Sequence, residues 1–389
     1  MGRRGNREGS ITKRKDGLYM ARYTVEMTSG KKKRKTIYAK TRQEAAEKLT
    51  KAMADRDGGL VFEDENMRVA DYLDTWLKGL TGSVRQSTLD GYEIAVRVHI
   101  KPALGRLMLK KLTPAHVASF YQDKLTDGAA PASVNKLHVT LHKALDQAVK
   151  WNMIPRNVSE AVKAPRPAPT KEMRTLSANQ ARMMLRTAQG DRLEALYVLA
   201  IHTGMRQGEL LALKWPDVNL RDGRVSIRRT ITRSGGRLQL GEPKTAKSRR
   251  TITLTTGSLN ALRAHRKRQL EEMMQRTGLW QDHGLVFASE VGTLINPTNL
   301  RRRHFASLRK RAGLPADTRF HDLRHTCATL LLGKGVHPKF VQELLGHDNI
   351  AITLDTYSHV IPSMGDATAR AMEDALEGDQ PEVRDAEDA

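Results

Sequence analysis

The chain has 389 residues, enough for two or three domains with cores of their own, and its 66 Lys and Arg against 43 Asp and Glu give a formal net charge of +23. That balance points to a polyanionic partner, most simply nucleic acid. The single cysteine, Cys327, excludes an intramolecular disulfide and a multi-Cys zinc site.

The first module spans residues 1–58. SITKRKDGLYMARYTVEM gives two extended runs around a turn at Asp16-Gly17, with Tyr19, Ala21, Tyr23 and Val25 alternating onto one face. KKKRKTIYAK supplies a third strand. Thr41-Arg42-Gln43-Glu44 reads as a capping box for a helix running to about Asp57. A three-stranded sheet with one helix is predicted. Residues 1–58 carry 17 Lys and Arg against seven Asp and Glu, a net of +10. A small sheet of this charge can enter a major groove, so Arg22, Lys31, Lys32, Lys33, Arg34 and Lys35 are candidate DNA contacts. The Lys31–Lys35 run also fits a solvated hairpin tip.

After a hinge at Asp57-Gly58-Gly59, residues 66–158 read as four helices. VADYLDTWLKGL places Val69, Tyr72, Leu73, Trp76 and Leu77 on one stripe. A second helix starts at Ser87-Thr88 and is expected to end near Pro102. Thr113-Pro114 is an N-cap followed by Pro, and VNKLHVTLHKALDQAVKWNMI gives the longest helix. Residues 159–172, with Pro165, Pro167 and Pro169, are expected to form an extended, semi-rigid linker that lets two domains close around a duplex.

Residues 173–364 form the last large domain. Ser177 caps one helix, and LEALYVLAIHTG is a buried second helix leading to Arg206. VNLRDGRVSIRRTITR, with a turn at Asp222-Gly223, and GRLQLGEPKTAKSRRTITL carry strand signals. Helices return at Leu259–Gln275 and Asn299–Ala312. The fold class is therefore multidomain, mainly α with small antiparallel sheets. No nucleotide-binding glycine loop and no carboxylate cluster for two metals is present, so no cofactor is expected. No secretory leader or membrane span is expected either, which suggests a cytoplasmic, nucleoid-associated protein. Residues 365–389 form an acidic tail. From Asp366 onward it holds nine acids and two Arg. Ala371, Met372, Ala375 and Leu376 form a helical stripe there, suited to docking on a neighbouring copy.

The stretch FHDLRHTCATLLLGKGVHPKFVQELLGHDNIAITLDTY, residues 320–357, gathers chemistry on short helices. His321 and Arg324, three apart, share a helix face. Asp322 suits the dipole of the first turn, and Cys327 reads as a small core residue. Gly346-His347 and Tyr357 follow. His325 is expected to face elsewhere and to be structural. Earlier, TGMRQGELLAL sets Arg206 at a helix start with Glu209 on its face. The ordered set TGMRQGELLAL, HDLRH, LLGH and DTYSH resembles the tyrosine recombinase (phage integrase) family. The first module resembles the arm-binding domain of many integrases, and the four helices resemble the family's core-binding (SAM-like) domain.

What these residue types can do is consistent with that resemblance. Phosphoryl transfer without metal needs planar guanidiniums around the phosphate, and Arg206 and Arg324 fit that clamp. Tyr357 is the expected nucleophile, His321 the base or proton relay, and His347 a phosphate-positioning residue. Lys244, in GEPKTAKSRR, matches the family's hairpin lysine and would protonate the leaving 5′ oxygen, with Lys247 as runner-up. Glu209 is expected to fix Arg206 or His321. The resemblance implies an integrase that exchanges DNA strands through a 3′-phosphotyrosine. It would act as a tetramer on double-stranded DNA with core and arm sites, together with a directionality factor and a DNA-bending protein. The alternatives are a chromosome or plasmid dimer-resolving recombinase, a type IB topoisomerase, and a non-catalytic DNA-binding regulator.

Overall fold

A computed structural model describes residues 9–26, 32–57, 66–166, 174–243, 246–357 and 372, 373, 375 and 376. The chain divides into two compact units, residues 1–170 and 171–389. The described residues are mainly helical, with small antiparallel sheets. No helix among them is long and apolar enough to cross a membrane.

The first unit opens with β1 (Ser10–Lys13), β2 (Tyr19–Glu26) and β3 (Lys32–Ala39), antiparallel in sequence order, followed by α1 (Arg42–Asp57). Half of the expected capping box forms: Thr41 Oγ1 accepts from the Glu44 N–H at 3.1 Å, but the Glu44 carboxylate takes the N–H of Lys40, one residue before the cap, at 3.1 Å. Ala21 and Ala39 pack against Ala45 and Leu49 of α1, with Tyr19, Tyr23 and Ile37 at the margin. The tyrosines of β2 thus face the helix. In the register Thr24 opposes Arg34 and Arg22 opposes Thr36, which puts Arg22 and Arg34 together on the outer, exposed face. Lys35 opposes Tyr23 and shares its inner face. Lys31 and the side chains of Lys32 and Lys33 lie outside the described residues.

Next come α2 (Val69–Leu80), α3 (Gln86–Ile94), α4 (Lys101–Leu104), α5 (Pro114–Thr126) and α6 (Pro131–Lys150). Val69, Tyr72, Leu73 and Trp76 of α2 are buried against Phe120 of α5 and Leu141, Ala144 and Leu145 of α6. The buried Tyr72 hydroxyl donates to the Ala144 carbonyl. The second helix ends at Leu104, two residues past Pro102, as expected. Between α3 and α4 the backbone widens into a π-type turn, Ala95–Ile100, where the Lys101 N–H reaches back five residues to Val96. Proline lacks a donor and crowds the preceding turn, and the wider turn accommodates it without breaking the rod. The chain also stays on the bundle past residue 159. Ser159 is fully buried, and Asn135 Nδ2 donates to the Pro165 carbonyl at 3.4 Å. Of the expected linker, residues 167–172 lie outside the described residues.

The second unit holds α7 (Ala178–Thr187), α8 (Glu194–Thr203) and α9 (Gln207–Leu211). Strands β4 (Val218–Asn219), β5 (Arg224–Ile227), β6 (Thr230–Ser234), β7 (Arg237–Gly241) and β8 (Arg250–Thr253) follow. The helices then return as α10 (Thr256–Gln275), α11 (Pro297–Asn299), α12 (Ala306–Arg311), α13 (Asp322–Leu332), α14 (Pro338–Leu345) and α15 (Ile350–Tyr357). Strand β8 passes β6 and β7, which pair only with each other, and returns to β5 to complete the sheet β4-β5-β8. Helix α8 is apolar around its whole circumference because it is central, with seven of its ten residues buried and α10 and α13 packed on it. α11 runs through a second π-type turn, Leu300–Phe305, into α12.

Leu141 is fully buried in α6. Leu141→Ala should therefore destabilise the helical bundle by about 2–5 kcal/mol, read from urea unfolding followed through the tryptophan fluorescence of Trp76 and Trp151.

Candidate active site

Two left-handed glycine turns set out the site. Gly204 ends α8 at φ +60° and Gly346 ends α14 at φ +65°, a region that L side chains rarely adopt. A Cβ at Gly204 would also come within 2.5 Å of Leu345 Cδ2, so the two turns are in contact. The first turn sends the chain to Arg206, and the second sends it to His347.

Arg206 occupies the N-cap position of α9, and Glu209 lies one turn later. The carboxylate accepts the Arg206 backbone N–H at 3.0 Å and Nη1 of its side chain at 2.9 Å. Glu209 is 3% exposed and also accepts from Arg250 Nη2 of β8 at 3.0 Å. Burial raises the Glu209 carboxyl, but the charge and hydrogen bonds of Arg250, and then those of Arg206, outweigh it and hold the group below its ordinary value. Of the two expected partners for Glu209, the structure pairs it with Arg206. Arg250 was not singled out in the sequence. It also donates through Nε to the Leu344 carbonyl at 2.6 Å, tying β8 to the end of α14.

Arg324 sits in α13, only 3% exposed. Its Nη1 donates to the Gly204 carbonyl and its Nη2 to the Leu345 carbonyl, both at 2.7 Å. Arg206 Nη2 donates to the Gly346 carbonyl at 3.3 Å. Both guanidiniums therefore grip the turn that carries His347. Burial, then the positive charge of Arg206, pushes Arg324 down to about 9, still charged at neutral pH. Arg206 is 38% exposed at its side chain and offers the open edge of the pair.

The histidines lie around this charge. His347 Nδ1 meets Thr353 Oγ1 at 2.9 Å, and burial followed by the charges of Arg324 and Arg206 pushes the ring down to about 4. His321 stands at the N-terminus of α13, partly open to solvent, and is held below its ordinary value by the atoms packed around it and by Arg324. Asp322 does not act on the dipole alone, since its carboxylate also accepts from Arg319 Nη2 at 2.9 Å.

Tyr357, the last residue of α15, is fully buried among Ala328, Leu332, Val341 and Leu345. Burial pushes its phenol up to about 12. Its Oη lies 2.7 Å from Nδ1 of His325. The histidine expected to be structural therefore faces the hydroxyl, and its ring stands edge-on to His321, centroids 4.9 Å apart. Spacing i, i+4 placed the two histidines on one helix face, which was the available signal. Cys327 is buried beside the site, as expected for a small core residue.

The two lysines differ in what is described. Lys244 lies outside the described residues. Lys247, in a short turn before β8, donates to the Asp348 carbonyl at 2.6 Å, next to His347. Nearby, β5, the β6–β7 pair and β8 border an open basic cleft of about 660 Å³, lined by Arg228, Arg229, Arg249 and Arg250. Among the described residues no three His, Cys, Asp or Glu side chains converge where a metal could sit.

Glu209→Gln should cost about 3–5 kcal/mol, because it leaves the buried Arg250 charge unpaired. The folded Glu209 carboxyl lies below its unfolded value of 4.5. Its contribution is thus full above pH 4.5 and is lost as pH falls through the folded value. The stability gap between wild type and the variant, from denaturant melts, should close on acidification below pH 4.5.

Comparison with known proteins identifies the family. The profile described as "Phage integrase family" matches residues 172–364, and "Phage integrase, N-terminal SAM-like domain" matches residues 69–125. The chain is 31% identical over 370 residues to a XerC-like tyrosine recombinase of Caldanaerobacter subterraneus subsp. tengcongensis, covering 90% of this chain and 94% of that one. It is also 31% identical over 340 residues to an integrase of Streptomyces ambofaciens, covering 85% and 86%. Among solved structures, the Tn1549 transposon integrase in complex with a circular intermediate DNA shares the fold, with a TM-score of 0.66 and 21% identity over 79% of this chain and 99% of that one. From its sequence and its fold, the chain belongs to the phage integrase family of tyrosine recombinases.

Proposed function

We propose that this site-specific recombinase cuts and rejoins the DNA of a mobile element through a 3′-phosphotyrosine intermediate, with Tyr357 as nucleophile. The observation that carries this reading is the grip of Arg206 and Arg324 on the single turn Leu345–Gly346, which sets His347 beside both guanidiniums. A guanidinium has five N–H donors; Arg324 uses one at each of two carbonyls, leaving three for phosphate oxygens. Tyr357 Oη attacks phosphorus, and the bond to the 5′ oxygen breaks. The phenol proton leaves through His321 as base or relay, and a lysine protonates the leaving oxygen. The 5′-hydroxyl of a partner duplex then reverses these steps on the phosphotyrosine.

Resemblance to the family favours Lys244 as that lysine. The tie of Lys247 to the backbone beside His347 favours Lys247 as a second reading. Glu209 fixes Arg206. A tetramer on two duplexes, a directionality factor and a DNA-bending protein belong to the same reading, as does action in the cytoplasm on nucleoid DNA. Exposed Arg22 and Arg34 on the outer face of the N-terminal sheet support an arm-site contact separate from the core site. That module separates the reading from a dimer-resolving recombinase.

Tyr357→Phe should bind core DNA yet form no covalent adduct on a nicked duplex, and an adduct formed at another residue would reject the nucleophile. Arg324→Lys should lower adduct formation by roughly a hundredfold or more, because an ammonium cannot make the planar contacts. Replacing the bridging 5′ oxygen by sulfur, which leaves without a proton, should rescue whichever of Lys244→Ala and Lys247→Ala removes the acid. A chain starting at Leu60 should still cleave an isolated core site but fail to integrate through the full attachment site; full integration would remove the arm-site role.

A further inference from the structure

Helix α13 delivers its side chains in two directions. Arg324 points to the glycine turns, whereas the next residue, His325, points to Tyr357. The Tyr357 ring is held by apolar packing, which has no directionality and does not by itself fix where the oxygen at the far end of the ring sits. A buried hydroxyl also needs a partner. His325 Nδ1 at 2.7 Å supplies one, and the edge-on contact with His321 limits how far the imidazole can turn.

We propose that His325 is the positioning residue of the nucleophile, its Nδ1 holding the Tyr357 hydroxyl so that the oxygen is aimed before a phosphodiester arrives. The inference rests on the reading of Tyr357 as nucleophile and adds a residue to it. A neutral imidazole with its proton on Nδ1 donates to the phenol oxygen, which leaves the phenol's own proton free to depart through His321. Misaim of a reacting atom by a fraction of its radius is expensive in rate and nearly free in ground-state binding. His325 therefore acts on the chemical step and leaves DNA affinity alone.

The test replaces His325 by Phe, Asn and Gln. The Asn side-chain amide sits close to the place of Nδ1, whereas the Gln amide reaches towards the place of Nε2. Single-turnover adduct formation is measured on a nicked duplex carrying the attachment core, taken from the junction of the excised circle. The full-length protein is used at saturating concentration, and half-saturation is measured separately by gel shift. His325→Phe should slow the saturated rate by about tenfold to a hundredfold with half-saturation unchanged. His325→Asn should restore most of that rate, and His325→Gln should not.

A wild-type saturated rate in His325→Phe overturns the proposal, as does a loss confined to DNA affinity. Equal rates in the Asn and Gln variants overturn it too, and that pair decides if the Phe variant does not fold. Tyr357→Phe is run alongside. An adduct that survives there rejects the nucleophile itself, whereas its loss there with unaffected His325 variants rejects only the positioning role.

Discussion

One buried carboxylate holds this site in shape. Glu209 faces Arg206 and Arg250 together, with the Arg324 guanidinium close enough to feel its charge. Guanidiniums gathered this closely repel one another, and burial strengthens that repulsion. The negative charge offsets it, and some of the other donors go to backbone carbonyls at Gly204, Leu344, Leu345 and Gly346. Pieces of chain more than a hundred residues apart are joined this way, and the glycine turns let the backbone come close enough for it.

The same concentration of positive charge decides the state of everything around it. His347 is kept neutral at physiological pH by burial and by the arginines, and His325 by burial and by its neighbour His321. The Tyr357 phenol, protonated at neutral pH even at its ordinary value of 10, is pushed further from ionisation because burial disfavours the phenolate more than Arg324 favours it. The resting site is thus a cluster of cations with neutral hydrogen-bonding groups at its edge. An arriving phosphate would supply the missing anion and be stabilised more strongly as charge builds on its oxygens in the transition state.

Charge elsewhere in the chain follows a different logic. In the N-terminal sheet strict alternation sends the tyrosines of β2 inward to α1 and leaves Arg22 and Arg34 outward on neighbouring strands. Of the basic run Lys31–Lys35, the described side chains accordingly divide, with Arg34 outward beside Arg22 and Lys35 inward beside Tyr23.

Much of this was legible in the amino-acid order. An apolar stripe marks α2 and α6, Thr113 with the proline after it marks the start of α5, and an unbroken apolar run marks α8, because such local patterns need no distant partner. The spacing of Arg206, His321, Arg324, His347 and Tyr357 is likewise a sequence property, and it carries the family. Tertiary structure alone decided who touches whom. Arg250 reads as one more basic residue of a strand until β8 returns to β5 and brings it to Glu209. His325 reads as the far side of Arg324 until α15 folds back and lays the Tyr357 hydroxyl against it. Pro102 marks the end of its helix to within two residues, but the π-type turn before it carries no local mark. Each of these depends on contacts between residues distant in the chain, or on a backbone adjustment supported by packing, and neither is written in local periodicity.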